Sequence, residues 1–177
     1  GKGFDLTKDA LLQLIDGGVE DLRLRVRFPP ADSVNKSREA FFDQIRDHVE
    51  IMDSYLSEEE FRDLLLSADL VALPYTPDRF SNRTSGLLID SLLLGVPSVV
   101  IDDTWLAGKV RELGFGEIVQ ENGKALADGI RSAVANIDHL KKAALTARDT
   151  YVQQNSWDAL VSFLEQPKAV ANPLQTT

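Results

Sequence analysis

The 177-residue sequence predicts an α/β domain built on a doubly wound parallel sheet. Three observations lead there. Short apolar runs alternate along the chain with amphipathic stretches of about ten residues, the pattern of βαβ units. The runs Leu70–Leu73 and Val99–Ile101 are apolar at every position, as strands covered on both faces are. Between them lie a polar loop and an apolar helix that stops at Gly95 before Pro97, which makes strand, loop, helix and strand in that order.

The opening GKGFDLTKDALLQLIDGG carries Leu6, Ala10, Leu11, Leu14 and Ile15 at helical spacing and stops at Gly17-Gly18. A polar-glycine turn before a helix ordinarily follows a strand. Either the chain is a fragment cut just after its first strand or the domain begins on a helix, and the fragment is favoured. From Leu22 to Phe28, four apolar residues alternate with Arg23, Arg25 and Arg27, a period of two that predicts a strand. The arginines fit a solvated edge, a missing neighbour or a covering partner. Pro29-Pro30 then breaks the chain. A helix is expected over Ser37–Asp47 through Phe41, Phe42 and Ile45, and a short strand over Val49–Met52. Ser57 and Glu60 form a capping box at the start of a helix through Leu64–Leu66. After Ile101 the pattern repeats: helix Trp105–Leu113, strand Gly116–Val119, then helices over Lys124–Val134, Asp138–Gln153 and Ser156–Leu164. The ordered domain is expected to span residues 1–165, with 166–177 a disordered tail.

Composition narrows the chemistry. The chain contains no cysteine, which removes disulfides, thiolate metal sites and cysteine nucleophiles. It has two histidines, His48 and His139, each expected to be a packed or solvated residue, and a histidine-based metal site is disfavoured. A net charge of −9 argues against general binding of nucleic acid or anionic lipid, although a few residues can still make a local basic pocket. No apolar run approaches the ~20 residues of a membrane-spanning helix. A cytoplasmic protein is the simple expectation, any peripheral membrane contact falling to a part outside this chain.

The chemistry concentrates in YTPDRFSNRTSGLLIDSLLLGVP, residues 75–97. Arg79 and Arg83 offer guanidinium donors, and Asn82, Thr84 and Ser85 offer neutral ones. The backbone N–H groups of Ser85, Gly86 and Leu87 are unpaired donors at the positive end of a helix, suited to a phosphate or diphosphate. The alternative is that Thr84 or Ser85 is only a helix cap and the arginines only solvated. Asp90 stands inside an otherwise apolar helix, where a buried carboxylate needs a partner. A ribose hydroxyl would serve, and a solvent-facing position is the other possibility. Donors for phosphate followed by a carboxylate suggest a nucleotide.

The run LVALPYTPDRFSNRTSGLLIDSLLLGVPSVV resembles the donor-site signature of the group-1 retaining glycosyltransferases: two acidic residues eight positions apart, a small-residue loop, an apolar helix and a Gly-x-Pro ending. Gly1-Lys2-Gly3-Phe4-Asp5 is similar to the family's Lys-Gly-Phe loop, and Ser156-Trp157 resembles its closing helix. The resemblance covers Gly1 to Leu164. It implies one Rossmann-like half of a two-domain GT-B enzyme, the donor-binding C-terminal half, with the N-terminal acceptor domain lying elsewhere. It further implies that Lys2, Thr84, Ser85, Gly86 and Leu87 hold the donor diphosphate, Asp90 holds the ribose, Asn82 touches the transferred sugar, and Arg83 with Lys2 stabilises the leaving diphosphate. No metal and no cofactor beyond the nucleotide-diphosphate sugar are implied. Asn82 departs from the family's acid, and Asp90 stands where a glutamate is usual. The function expected is glycosyl transfer to an acceptor, the isolated domain being inactive. A non-catalytic module of the same fold and half of a sugar-nucleotide epimerase are the alternatives.

Overall fold

The structure, a computed structural model, describes residues 3–17, 23–27, 36–52 and 55–165. The elements follow in the order α1 (Phe4–Asp16), β1 (Leu24–Arg27), α2 (Lys36–Ile45), β2 (Val49–Met52), α3 (Glu58–Leu66) and β3 (Val71–Leu73). Then come α4 (Pro77–Phe80), α5 (Gly86–Leu93), β4 (Ser98–Ile101), α6 (Trp105–Leu113), β5 (Gly116–Val119), α7 (Gly123–Ala135), α8 (Ile137–Gln154) and α9 (Trp157–Glu165). The alternation of strands and helices is the one expected from the apolar pattern. Gly1, Lys2, Leu22, Phe28, Pro29-Pro30 and the expected tail at 166–177 lie outside the described residues.

Among the described residues all strand pairs are parallel, in two sheets of order β1-β2 and β3-β4-β5. The α/β class with parallel strands between helices therefore holds, and the ladder of the described residues is divided between β1 and β3. In parallel α/β sheets ligands bind beyond the carboxyl ends of the strands.

β4 is the central strand, and all four of its residues are buried. Val100 points into a cluster with Leu88 and Leu92 of α5, Leu106 and Val110 of α6, Phe115, and Ala144 and Ala147 of α8. Val99 and Ile101 point the other way, against Ala10 and Leu14 of α1 and Leu126, Ala127, Ile130 and Ala133 of α7. Successive residues of one strand thus feed cores on opposite faces, as a period of two requires. That is why the Val99–Ile101 run is continuous rather than alternating. A third cluster joins Leu11 of α1 to Phe41, Phe42 and Ile45 of α2 and Val49 of β2.

Local chemistry sets the helix ends. The Ser57/Glu60 box forms with both reciprocal bonds, Ser57 N–H to Glu60 Oε2 at 2.7 Å and Glu60 N–H to Ser57 Oγ at 3.2 Å. The first of these bonds holds the Glu60 carboxyl below its ordinary pKa. Gly95 takes φ +72° just after α5, a left-handed conformation that glycine adopts without steric cost. His48 and His139 are exposed. Trp105 begins α6 half-buried against the first core cluster.

A candidate donor-binding edge

The 74–86 connection leaves the carboxyl end of β3, and it is more ordered than a plain polar loop. Thr76 caps a one-turn helix with Pro77 at its first position, where the fixed φ of proline suits a helix start. The Thr76 hydroxyl donates to the Asp78 carboxylate, and this bond is the main cause of the lowered Asp78 pKa. The turn drives Phe80 into the core at 7% exposure. Tyr75 stacks on the Phe80 ring with centroids 4.3 Å apart, and Arg83 lies over the same ring at 5.6 Å. The loop is pinned by this aromatic plug. No local pattern announces α4, because a four-residue helix has too few positions to show a period.

Ser85 ends the loop as the N-cap of α5. It is 5% exposed, and its Oγ accepts from Leu88 N–H at 3.2 Å. Burial raises the Tyr75 phenol above its usual pKa, while a hydrogen bond with the Ser85 side chain acts in the opposite direction. The cap hydroxyl is thereby tied to the end of β3 as well as to its own helix. Beyond the cap, Ser91 Oγ donates to Leu88 O at 2.9 Å and pairs with Ser98 Oγ at 3.1 Å. Both serines are fully buried. This polar pair, which the sequence reading passed over, fixes α5 on β4.

The candidate residues divide by exposure. Asn82, Arg83, Thr84, Gly86 and Asp90 are exposed, Leu87 is half-buried and Ser85 is buried. Among the described residues Arg79 and Arg83 have no carboxylate within ion-pair distance, so both guanidinium groups remain available. A Cβ placed on Gly86 would meet nothing within 4 Å, which marks open space beside the first turn. Asp90 lies one turn on from Gly86, on the same side of the helix. Its burial in an apolar helix, one of the two expectations, is corrected here. Leu88, Ser91 and Leu92 form the buried stripe, and the 3.6-residue period turns position 90 away from it. The Asp90 side chain makes no hydrogen bond or ion pair among the described residues, so its carboxylate is free for a ligand.

A second helix start reaches the same edge. Gly3 precedes α1 with φ +73°, and a Cβ there would collide with the Pro74 carbonyl oxygen at the end of β3. Only glycine satisfies both demands. Lys2 itself lies outside the described residues, but the contact brings its neighbour to the loop that holds Ser85. The N-termini of α1 and α5 thus flank the end of β3, and their dipoles add in favour of an anion. Among the described residues no group of three His, Asp or Glu side chains is placed to hold a metal ion. A separate hollow of about 200 Å³, lined by Leu66, Ser67, Asp69, Gly95, Pro97 and Lys141, lies at the opposite end of the strands. The candidate edge is an open surface, as one wall of a cleft would be.

No family model matches the sequence, and no curated protein matches it. Solved structures do. A sucrose-phosphate synthase from Thermosynechococcus elongatus superposes with a TM-score of 0.70 at 16% identity, over 93% of this chain and 41% of its own. Anabaena Alr3699/HepE in complex with UDP gives 0.69 at 16% identity, over 92% and 44%. WaaG, a glycosyltransferase involved in lipopolysaccharide biosynthesis, gives 0.65 at 18% identity, over 94% and 44%. The chain has the fold of a GT-B glycosyltransferase domain. A proposed UDP-N-acetylglucosamine 2-epimerase from Listeria monocytogenes also matches, with a TM-score of 0.59 at 18% identity over 94% and 42%. This GT-B domain spans about two fifths of the length of the structures it matches. None of its described helices is long and apolar enough to cross a membrane.

Proposed function

We propose that the chain is the donor-binding half of a glycosyltransferase and takes a nucleotide-diphosphate sugar at the carboxyl end of β3. The observation that carries the reading is the open first turn of α5. Ser85 satisfies one amide from inside, Gly86 leaves the outer side clear, and Asp90 stands free one turn away. A diphosphate fits against the amides, and the Asp90 carboxylate accepts from ribose hydroxyls beyond it. HepE, solved in complex with UDP, and WaaG, a glycosyltransferase involved in lipopolysaccharide biosynthesis, support this substrate class.

In transfer, the bond from the sugar to the diphosphate breaks and negative charge collects on the departing phosphate. Arg83, Lys2 and the amides of Ser85, Gly86 and Leu87 supply fixed positive potential there, and Thr84 adds a neutral donor. Stabilisation of developing charge by preorganised donors is commonly the largest catalytic term. Asn82 faces the sugar side and contributes a neutral amide contact. The acceptor, and any group that activates it, belong to a second domain across the cleft, so turnover requires the complete enzyme. No metal or further cofactor takes part in this reading.

Calorimetric titration of the chain with UDP, GDP and their glucose conjugates tests it. Saturable binding of at least one is expected, and no binding to any of them would overturn the assignment. A binding module without catalysis is favoured by one observation, the amide of Asn82 at the position where the resemblance calls for an acid. Assay of the complete enzyme against Asn82→Asp separates the two: a module would bind donor and turn over nothing in either form. The fold is shared with an epimerase, but the described edge holds no histidine to act on the sugar ring, both histidines lying elsewhere.

A further inference from the structure

Tyr75 and Phe80 connect to both kinds of donor at the candidate edge, the Arg83 guanidinium and the first-turn amides of α5. The Phe80 ring is held from several directions. It is 7% exposed and packs in one cluster with Leu73 of β3 and Leu88 and Leu92 of α5. Tyr75 stacks on it with centroids 4.3 Å apart and ring planes at 28°. The α4 turn holds its backbone, with Phe80 N–H donating to Thr76 O at 3.0 Å and Ser81 N–H to Pro77 O at 3.0 Å. From this fixed pair of rings two contacts run to the donors. Arg83 lies over Phe80 at 5.6 Å. The Tyr75 hydroxyl hydrogen-bonds with the Ser85 side chain, and Ser85 Oγ accepts from Leu88 N–H at 3.2 Å to cap α5. Between these anchors Ser81, Asn82, Arg83 and Thr84 are exposed and belong to no helix or strand.

An aromatic face and a carboxylate hold a guanidinium in different ways. A carboxylate takes up its N–H donors and cancels its charge. A ring face attracts the cation and leaves the in-plane N–H groups for a ligand. Arg83 has the ring and not the acid, since no carboxylate lies within ion-pair distance of it among the described residues. Asp78, the acid of the 74–86 loop, accepts from the Thr76 hydroxyl instead, and the side-chain cation acting on it is Arg79. An aliphatic side chain at position 80 could fill the core, but it would offer the guanidinium no face. We infer that Tyr75 and Phe80 are positioning residues of the donor site. The ring pair sets the Arg83 guanidinium and the α5 cap in a fixed relation before the ligand arrives, so that a diphosphate meets both without reordering the loop. The inference rests on the donor reading above and gives a role to two residues that touch no ligand. An exposed arginine on an irregular loop loses rotamer freedom when a ligand captures it, and prior restraint removes part of that cost. A cation–ring contact at an exposed site corresponds to about two- to fivefold in an equilibrium constant.

Calorimetric titration with UDP and GDP tests it on the chain, on Phe80→Leu, on Arg83→Gln and on the double variant. Arg83→Gln should weaken binding about tenfold or more, the loss of a charge-assisted bond. Phe80→Leu should weaken it about two- to fivefold. In the Phe80→Leu background Arg83→Gln should cost less by that same factor, because the guanidinium is already released. Equal costs in both backgrounds would show that the ring acts through packing alone and would overturn the inference, as would Phe80→Leu binding as tightly as the parent. A chain that binds neither nucleotide sinks the donor reading and this inference together. Binding that ignores Arg83→Gln leaves the donor reading standing and removes only the inference. A further measurement needs neither a variant at position 80 nor a nucleotide. In the unliganded chain, nitrogen relaxation at the arginine Nε–H groups should find Arg83 more restricted than Arg79, which is also exposed. Equal mobility of the two would overturn the inference even where Phe80→Leu fails to fold.

Discussion

Replacing Gly86 by alanine separates folding from binding at the candidate site. Gly86 is the first residue of α5, outside the left-handed region, and an added Cβ meets nothing within 4 Å. Folding should therefore gain from the change, because alanine loses less backbone entropy; at a compatible position the gain is about 0.4–1 kcal/mol. For a domain of this size that corresponds to a rise in Tm of about 1–4 °C. Binding should suffer for the same geometric reason. A phosphate oxygen accepting from the first-turn amides must approach to about 2.9 Å, where the new methyl group also stands. Losing one charge-assisted bond costs about 1.5–3 kcal/mol, or roughly tenfold to a hundredfold in Kd. Thermal unfolding and calorimetric titration with UDP on the same preparation read both effects. A variant that is more stable and binds UDP as tightly as the parent would refute the diphosphate placement. A variant that is less stable would refute the open space beside the helix.

Other perturbations follow from the same geometry. Asp90→Ala removes an exposed carboxylate with no partner among the described residues, so stability should change by less than about 0.5 kcal/mol. UDP affinity should fall by about 1–3 kcal/mol if ribose hydroxyls lose their acceptor, and an unchanged Kd would exclude that role. Ser85→Ala deletes the buried cap of α5 and should cost about 1 kcal/mol in chemical denaturation, with full retention of stability arguing that the cap bond carries nothing. Tyr75 should give a late step in an ultraviolet titration, because burial raises its pKa. Its folded pKa is above the unfolded value of about 10, so its contribution is intact below that pH and fades as pH climbs through the folded pKa. Loss of the late step in Tyr75→Phe assigns it. Asp102 has the reverse sign: the Asp103 N–H and the Arg111 guanidinium lower its pKa, so its contribution is present above about pH 4 and lost on acidification. Arg111→Ala should flatten the acid limb of a stability–pH curve, and an unaltered limb would show the pair to be silent.

Much of the fold is legible in the sequence because burial leaves a period. Val99–Ile101 is apolar at successive positions since both faces of β4 are covered, and the run by itself implies a two-sided layer. Ser57 with Glu60 marks a helix start because both capping groups lie within four residues. The cap of α5 is legible only as Thr84 or Ser85, and the structure gives it to Ser85. Asp90 was harder to read. Flanked by leucines and isoleucine, it invites burial, yet only its angle around α5 decides, and that angle depends on which stripe meets β4. The Tyr75–Phe80–Arg83 stack and the Ser91–Ser98 pair join residues through folding, and no local pattern announces them.

The parallel α/β class, the order of the elements other than α4, and the stretch where a diphosphate could meet a helix start are legible in the local pattern of residues. These rest on local preferences, on hydrophobic period and on short-range hydrogen bonds, all of which act between near neighbours. That α1 begins at the end of β3 beside the loop leading to α5, that Asp90 faces outward, and that the described strands form two sheets emerge only on packing. Those facts depend on contacts between segments dozens of residues apart. Their energies come from shared burial, and shared burial exists only once the layers have packed.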